Sequence, residues 1–158
     1  MLEKTYGRLA AATSVQQLLY QENSFRNIDA RQMLENLVAG LASWIGTEHV
    51  VTARADAVPL PHNAALPLGL LINELITNAI KYGRNAAGIA EVDVSLTRSK
   101  NCFHLEIRDK GPGFEWADKA QKASGLGLVR GLVRQLGGSL NIESENGTQT
   151  SIEFEATD

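Results

Sequence analysis

The 158-residue sequence holds one cysteine, Cys102, which excludes an intramolecular disulfide. With three histidines it forms no Cys/His cluster of zinc-site spacing. This shortage suits a reducing compartment, and Cys102 reads as a small buried hydrophobe. No apolar stretch runs far enough without charge to cross a bilayer, and the opening residues MLEKTYGRLAAATS lack the apolar centre of a signal peptide. The expectation is a cytoplasmic protein without direct membrane insertion. Excess positive charge is also missing. Fifteen Lys and Arg stand against 18 Asp and Glu, for a formal net charge of -3 and a pI near 5.6, so composition gives no reason to expect nucleic acid as partner. The sequence contains no G-x-x-x-x-G-K-[ST] loop. Gly125-x-Gly127 is no dinucleotide fingerprint, because Arg130 stands where the third glycine belongs. Internal repeats and low-complexity tracts are absent.

What is present fits one domain with a real core: 44% of the residues are hydrophobic. Residues 1 to about 22 carry Leu2, Leu9, Val15, Leu18 and Leu19 on a polar background, the pattern of an amphipathic helix that needs a partner. NSFRNID breaks it. Asp29 is placed to cap a second helix over 30–45, where Met33, Leu34, Leu37, Val38, Leu41, Trp44 and Ile45 recur at helical spacing up to Gly46. A short strand around His49–Arg54 and a Pro-containing connection lead to a helix over 63–83. Four alternating segments follow, two before and two after a helix at 125–136. Val92, Val94 and Leu96 mark the first, and Phe103, Leu105 and Ile107 the second. Leu140 and Ile142 mark the third, and Ile152 and Phe154 the last. Each has one apolar and one polar face, so the sheet is covered on one side only. The fold class expected is an α/β two-layer sandwich with a mixed, mostly antiparallel sheet and helices on one face, preceded by N-terminal helices. A doubly wound parallel sheet, apolar on both faces, is excluded.

The helix LINELITNAIKYG carries an anomaly. Glu74, Asn78 and Lys81 lie within roughly 60° of one another on the helical wheel, facing away from Ile72, Leu75, Ile76, Ala79 and Ile80. Asp109 shares the parity of Phe103, Leu105 and Ile107, so it points to the covered face and needs a donor there. Gly111 and Gly113 then allow close backbone approach to a ligand, although a polar turn reads the same way. Gly125 and Gly127 stand where the next helix is expected to start, an arrangement that offers amides and the positive helix end to a phosphate. Between the two glycine pairs, 111/113 and 125/127, FEWADKAQKAS is polar and lysine-bearing, like a flap over a ligand or an ordinary surface loop.

Taken in order, these motifs resemble the ATP-binding domain shared by gyrase, heat-shock chaperone, histidine kinase and mismatch-repair ATPases, the Bergerat-type fold, over residues 50–156. NELITNAIKYG looks like its N box, DKGPGF its first glycine box and SGLGL its second, with Gly147-Thr148 before the last strand. The resemblance implies ATP and Mg2+ as cofactors. Asn78 matches the metal-coordinating asparagine, Glu74 the acidic position that orients water or metal, and Lys81 the basic position near the phosphates. The resemblance also implies that Tyr82 beside it belongs to the nucleotide-binding residues. Asp109 matches the carboxylate that accepts from the adenine amino group, which predicts ATP over GTP. Gly111 and Gly113 would line the base and sugar, and Thr148 would complete the adenine contact. Gly125, Leu126, Gly127 and Leu128 match the lid end that meets phosphate.

The N-terminal helices narrow the branch. RLAAATSVQQLLYQENSFRNIDARQMLENLVAGLASWIG is similar to the C-terminal part of a dimerisation and phosphoacceptor region, and LLYQ followed by ID resembles the second histidine-kinase phosphoacceptor subfamily. This divides the chain into 1–46, the helical segment, and 47–158, the ATP-binding catalytic domain of a sensor histidine kinase. The branch with a His-Trp-Glu signature fits less well, since Asn73 stands where its N-box histidine belongs. The phosphoacceptor run His-His-Arg-Val-Lys-Asn has no counterpart, and His49, His62 and His104 read as structural or surface residues. The γ-phosphoryl acceptor is therefore expected outside this chain, on a histidine-bearing helix. A response regulator is the downstream partner, and a homodimer through the N-terminal helices is expected. An anti-sigma-factor-type serine kinase and a non-catalytic adaptor that docks a response regulator remain the alternatives.

Overall fold

The structure, a computed structural model, describes residues 6, 8–10, 12–13, 17, 27–43, 45–113 and 119–156, with 119–124 described by their backbone. Leu2, Val15, Leu18, Leu19, Trp44 and the first part of the expected flap lie outside the described residues. Tyr6, Arg8 to Ala10, Ala12, Thr13 and Gln17 are helical. After them come β1 (Asn27–Asp29), α1 (Ala30–Ala42), β2 (Val50–Ala55), β3 (Pro59–Pro61), α2 (His62–Tyr82), β4 (Glu91–Ser99) and β5 (Cys102–Asp109). The chain closes with α3 (Lys119–Gln135), β6 (Ser139–Glu143) and β7 (Gln149–Glu155).

Asp29 caps α1 as its position predicts, its carboxylate accepting from the Gln32 amide at 2.9 Å. Met33, Leu34, Leu37 and Leu41 then fall on one buried face. The main sheet runs β2-β4-β5-β7-β6, with β2 and β4 parallel and every other neighbour antiparallel. Val92, Val94, Leu96, Phe103, Leu105, Ile107, Ile152 and Phe154 are buried on the helix side, while Thr97, Glu106 and Glu153 are exposed between them. The one-sided alternation thus becomes a two-layer sandwich. Its core is continuous from Ile28 through α1 and α2 to Ala156.

Two local readings change. Asn27–Asp29, the described end of the NSFRNID break, and Pro59–Pro61 of the Pro-containing connection pair as β1 and β3, with Ile28 opposite Leu60 and both buried. Three-residue strands, one of them bounded by prolines, leave no alternation to read. The helix expected at 125–136 begins at Lys119 instead, so Gly125 and Gly127 lie within α3 rather than at its start. Lysine, glutamine and alanine before the glycines are good helix formers and extend it. The C-terminal end agrees, closing in Gly137-Gly138, whose amides bond back to the carbonyls of Arg134 and Val133 at 3.0 and 2.9 Å.

Candidate functional site

Asp109 ends β5 on the covered face and is 5% exposed. Its Oδ1 accepts from the Gly111 amide at 3.0 Å and from the Thr148 amide at 3.1 Å. The Asp109 amide donates in turn to the Thr148 carbonyl at 2.9 Å. Among the described residues no hydrogen bond reaches Oδ2, which leaves that oxygen for a donor in the pocket. Glycines make the seat. A Cβ on Gly83, directly after α2, would overlap the Asp109 side chain, and a Cβ on Gly147 would overlap the Asp109 carbonyl. Gly147 also holds φ 116, where L side chains are strained. Gly111 lies against the Gly83 backbone, and Gly113 faces the Ser144 hydroxyl and the Gly147 carbonyl. The two glycine-bearing loops therefore close on one carboxylate.

This carboxylate faces a cleft of about 650 Å³, counted to its open mouth and lined by Leu75, Asn78, Ala79, Tyr82, Ile107, Asp109, Gly125, Leu126, Ile142, Thr148 and Thr150. Its apolar walls with a few convergent polar groups suit a flat base. The part of α2 that lines it, Leu75, Asn78, Ala79 and Tyr82, is rotated roughly 80° around the helix from the Glu74, Asn78, Lys81 stripe. Asn78 belongs to both. Leu75 and Ala79 are buried in the core as expected, like Ile72, Ile76 and Ile80, and they also line the cleft.

Glu74 does not face open space. It is 2% exposed, and both its oxygens are held by one guanidinium: Arg8 Nε donates to Oε2 at 3.0 Å and Nη2 to Oε1 at 3.1 Å. A buried carboxylate requires such a partner, and the paired geometry is the strong form. Gly125 approaches from α3; a Cβ there would stand 3.2 Å from Glu74 Oε1 and 3.7 Å from Asn78 Oδ1. Lys81 is exposed outside the cleft lining, with Nζ 5.3 Å from the centroid of the Tyr82 ring. Gly127 is exposed and Leu128 packs against the core, so Gly125 and Leu126 are the lid-end residues at the cleft. As part of α3, the amides of this run belong to a helical segment and are not presented at a helix start.

Sequence reasoning missed Arg8, Ile107, Ile142 and Thr150, together with the packing role of Gly83. Ile107 and Thr150 are cross-strand partners on the covered face, so strand parity carried a signal for them. Arg8, 66 residues from Glu74, carried none. The histidines are engaged elsewhere. His49 Nδ1 accepts from the Ala90 amide at 3.1 Å, His104 pairs with Glu153 at 3.2 Å, and His62 begins α2.

The chain is similar to known proteins. Blue-light-activated histidine kinase 2 of Erythrobacter litoralis is 26% identical over 168 residues, a match covering 95% of this chain and 46% of that protein. The oxygen sensor histidine kinase NreB of Staphylococcus carnosus is 34% identical over 92 residues, covering 56% of this chain and 25% of its own. The chain thus spans about half or less of these relatives. Among solved structures, the histidine kinase domain of an Erythrobacter litoralis blue-light-activated kinase superposes with a TM-score of 0.86 at 22% identity, over 96% of this chain and 74% of that one. The fold is therefore theirs. Residues 63–158, most of the chain, match the sequence model of the Histidine kinase-, DNA gyrase B-, and HSP90-like ATPases, and the chain belongs to that ATP-binding family.

Proposed function

We propose that this chain is the ATP-binding catalytic domain of a two-component sensor histidine kinase, which binds ATP with Mg2+ and transfers the γ-phosphoryl to a histidine outside this chain. The observation that carries the reading is the buried Asp109, seated by two backbone amides with one oxygen left for the cleft. An adenine amino group is the matching donor, whereas guanine would set acceptor against acceptor. Leu75, Ala79, Ile107 and Leu126 then sandwich the base, and Thr148 and Thr150 bound its edge.

Asn78 lies at the opposite side of the cleft from this seat in our reading and marks the phosphate end. Its neutral amide oxygen fits Mg2+, which takes one or two protein oxygens together with phosphates and water. When bound, the ion would neutralise phosphate charge. The chain's residues orient the γ-phosphoryl so that its bond to ADP breaks as a bond to an imidazole nitrogen forms, the imidazole proton passing to a base beside that histidine. Lys81 reaches the phosphates from the rim. Glu74, the position expected to orient water or metal, is held by Arg8 and borders Gly125 together with Asn78. Gly125 and Leu126 bound the phosphate end from α3; Gly127 and Leu128 join them once the start of α3 opens to present its amides.

The helical residues ahead of β1 act as the C-terminal part of a dimerisation region, whereas β1 and α1, expected within the same 1–46 segment, share the core of the 47–158 catalytic unit; partners are a histidine-bearing phosphoacceptor helix and a response regulator. No helix among the described residues is long and apolar enough to cross a membrane. With labelled ATP, acid-labile label is expected on an added phosphoacceptor helix. Label retained on His49, His62 or His104 of the chain alone contradicts the proposal, and absence of calorimetric heat with Mg-ATP favours a non-catalytic adaptor.

A further inference from the structure

We propose that Cys102, His104 and Glu153 form a Zn2+ site on the solvent face of the sheet, separate from the nucleotide cleft. No Cys/His zinc spacing occurs in the sequence, because the third ligand arrives from another strand. Cys102 and His104 are two apart on β5 and share its outer face, opposite Phe103 and Leu105. In the antiparallel register His104 faces Glu153 and Cys102 faces Glu155 on β7. One ligand atom from each of Cys102, His104 and Glu153 lies within 4.8 Å of the others. Cys102, expected to be a buried hydrophobe, is half-buried on this polar face instead.

The spacing suits a small tetrahedral ion. Zinc bonds of about 2.0–2.1 Å to nitrogen and oxygen place those two ligand atoms about 3.3 Å apart, and a longer bond to sulfur places it about 3.6 Å from either. His104 Nδ1 and Glu153 Oε1 already stand 3.2 Å apart, and a side-chain rotation brings the Cys102 sulfur in. The support is rigid. Directly beneath, on the covered face, Phe103 and Phe154 stack with centroids 5.2 Å apart and planes 8° from parallel, tying together the two strands that carry the ligands. On the neighbouring strands β4 and β6 the facing positions are uncharged: Thr97 faces His104, Ser99 faces Cys102 and Ser139 faces Glu153. Glu155 adds a second negative charge beside the thiol. Thiolate, imidazole and carboxylate together suit Zn2+ and disfavour Mg2+ or Ca2+, which take oxygen ligands. Binding ionises the thiol, its proton passing to solvent, and water fills the fourth position.

The test uses the full chain, reduced and without an affinity tag. Titration with Co2+ is expected to give a saturable thiolate-to-cobalt charge-transfer band at one ion per chain, displaced by Zn2+. Cys102→Ser abolishes the band. His104→Ala and Glu153→Gln weaken Zn2+ binding by about tenfold or more, since even outer-shell losses cost that much. These residues lie outside the nucleotide cleft, so each variant is expected to keep wild-type ATP binding, which separates this proposal from the preceding one. Absence of the band, or Zn2+ affinity unchanged in Cys102→Ser and His104→Ala, meaning an adventitious ion only, overturns it.

Discussion

The two ends of the cleft are built differently. At the Asp109 end, backbone amides from two loops converge on one carboxylate, and glycines let those loops meet. At the Asn78 end side chains do the work, and Glu74 depends on an arginine 66 residues away. A seat made of backbone and glycine is fixed by local geometry. One made of side-chain pairing depends on whatever segment docks beside it, so the two ends should respond differently to mutation.

The largest expected effect is at the backbone-built end. Gly147→Ala adds strain at positive φ to an overlap with the Asp109 carbonyl, and should cost about 4 kcal/mol of stability together with nucleotide binding. Denaturant unfolding checks it, and a loss below about 1 kcal/mol would show that the loops need not close on Asp109. Next comes the side-chain end. Arg8→Ala leaves a buried carboxylate unpaired and should cost about 3 kcal/mol, part of which Glu74→Gln restores in the double variant. Additive losses in that cycle would mean the pair is not coupled.

Legibility in the sequence followed the same divide. Asp109 was readable from strand parity and its neighbours from the glycine spacing, because both are local patterns. The four sheet-forming alternations after α2 and the Asp29 cap were readable for that reason too. β1 and β3 were not, since their pairing joins residues thirty or more positions apart and neither is long enough to alternate. The start of α3 was misjudged because glycine suggests a boundary, whereas here it occupies a helix interior. The polar stripe on α2 pointed to a helix that lines the cleft and to Asn78, but its centre, Glu74, faces Arg8 rather than the cleft. Helical periodicity identifies a face without saying what lies against it.

That interior glycine allows a third, smaller test. Nothing lies within 4 Å of a Cβ placed on Gly127, so Gly127→Ala should stabilise the free chain by about 1 kcal/mol. If ATP requires the start of α3 to unwind, the same variant should bind ATP more weakly; thermal unfolding and calorimetry read the two effects separately, and unchanged affinity argues that α3 stays closed. The smallest effect is expected at Lys110, beside the adenine seat. Its Nζ bonds Glu91 at 2.8 Å, and that hydrogen bond and charge raise the amine above its ordinary 10.5. A raised lysine value means that the stabilisation is present at neutral pH and is lost as pH rises through the raised value. Lys110→Met should therefore lower stability slightly at neutral pH, with the two unfolding profiles converging above 10.5; parallel profiles would contradict this.

The central claim is that Asp109 reads the amino group of adenine. Calorimetric affinities for Mg-ATP and Mg-GTP, measured on the unmutated chain and on Asp109→Asn, test it most directly. A charged hydrogen bond of about 1.5–3 kcal/mol predicts a preference for ATP of roughly tenfold to a hundredfold that collapses in Asp109→Asn. Equal affinity for the two nucleotides in the unmutated chain, or a preference that survives the substitution, would contradict it.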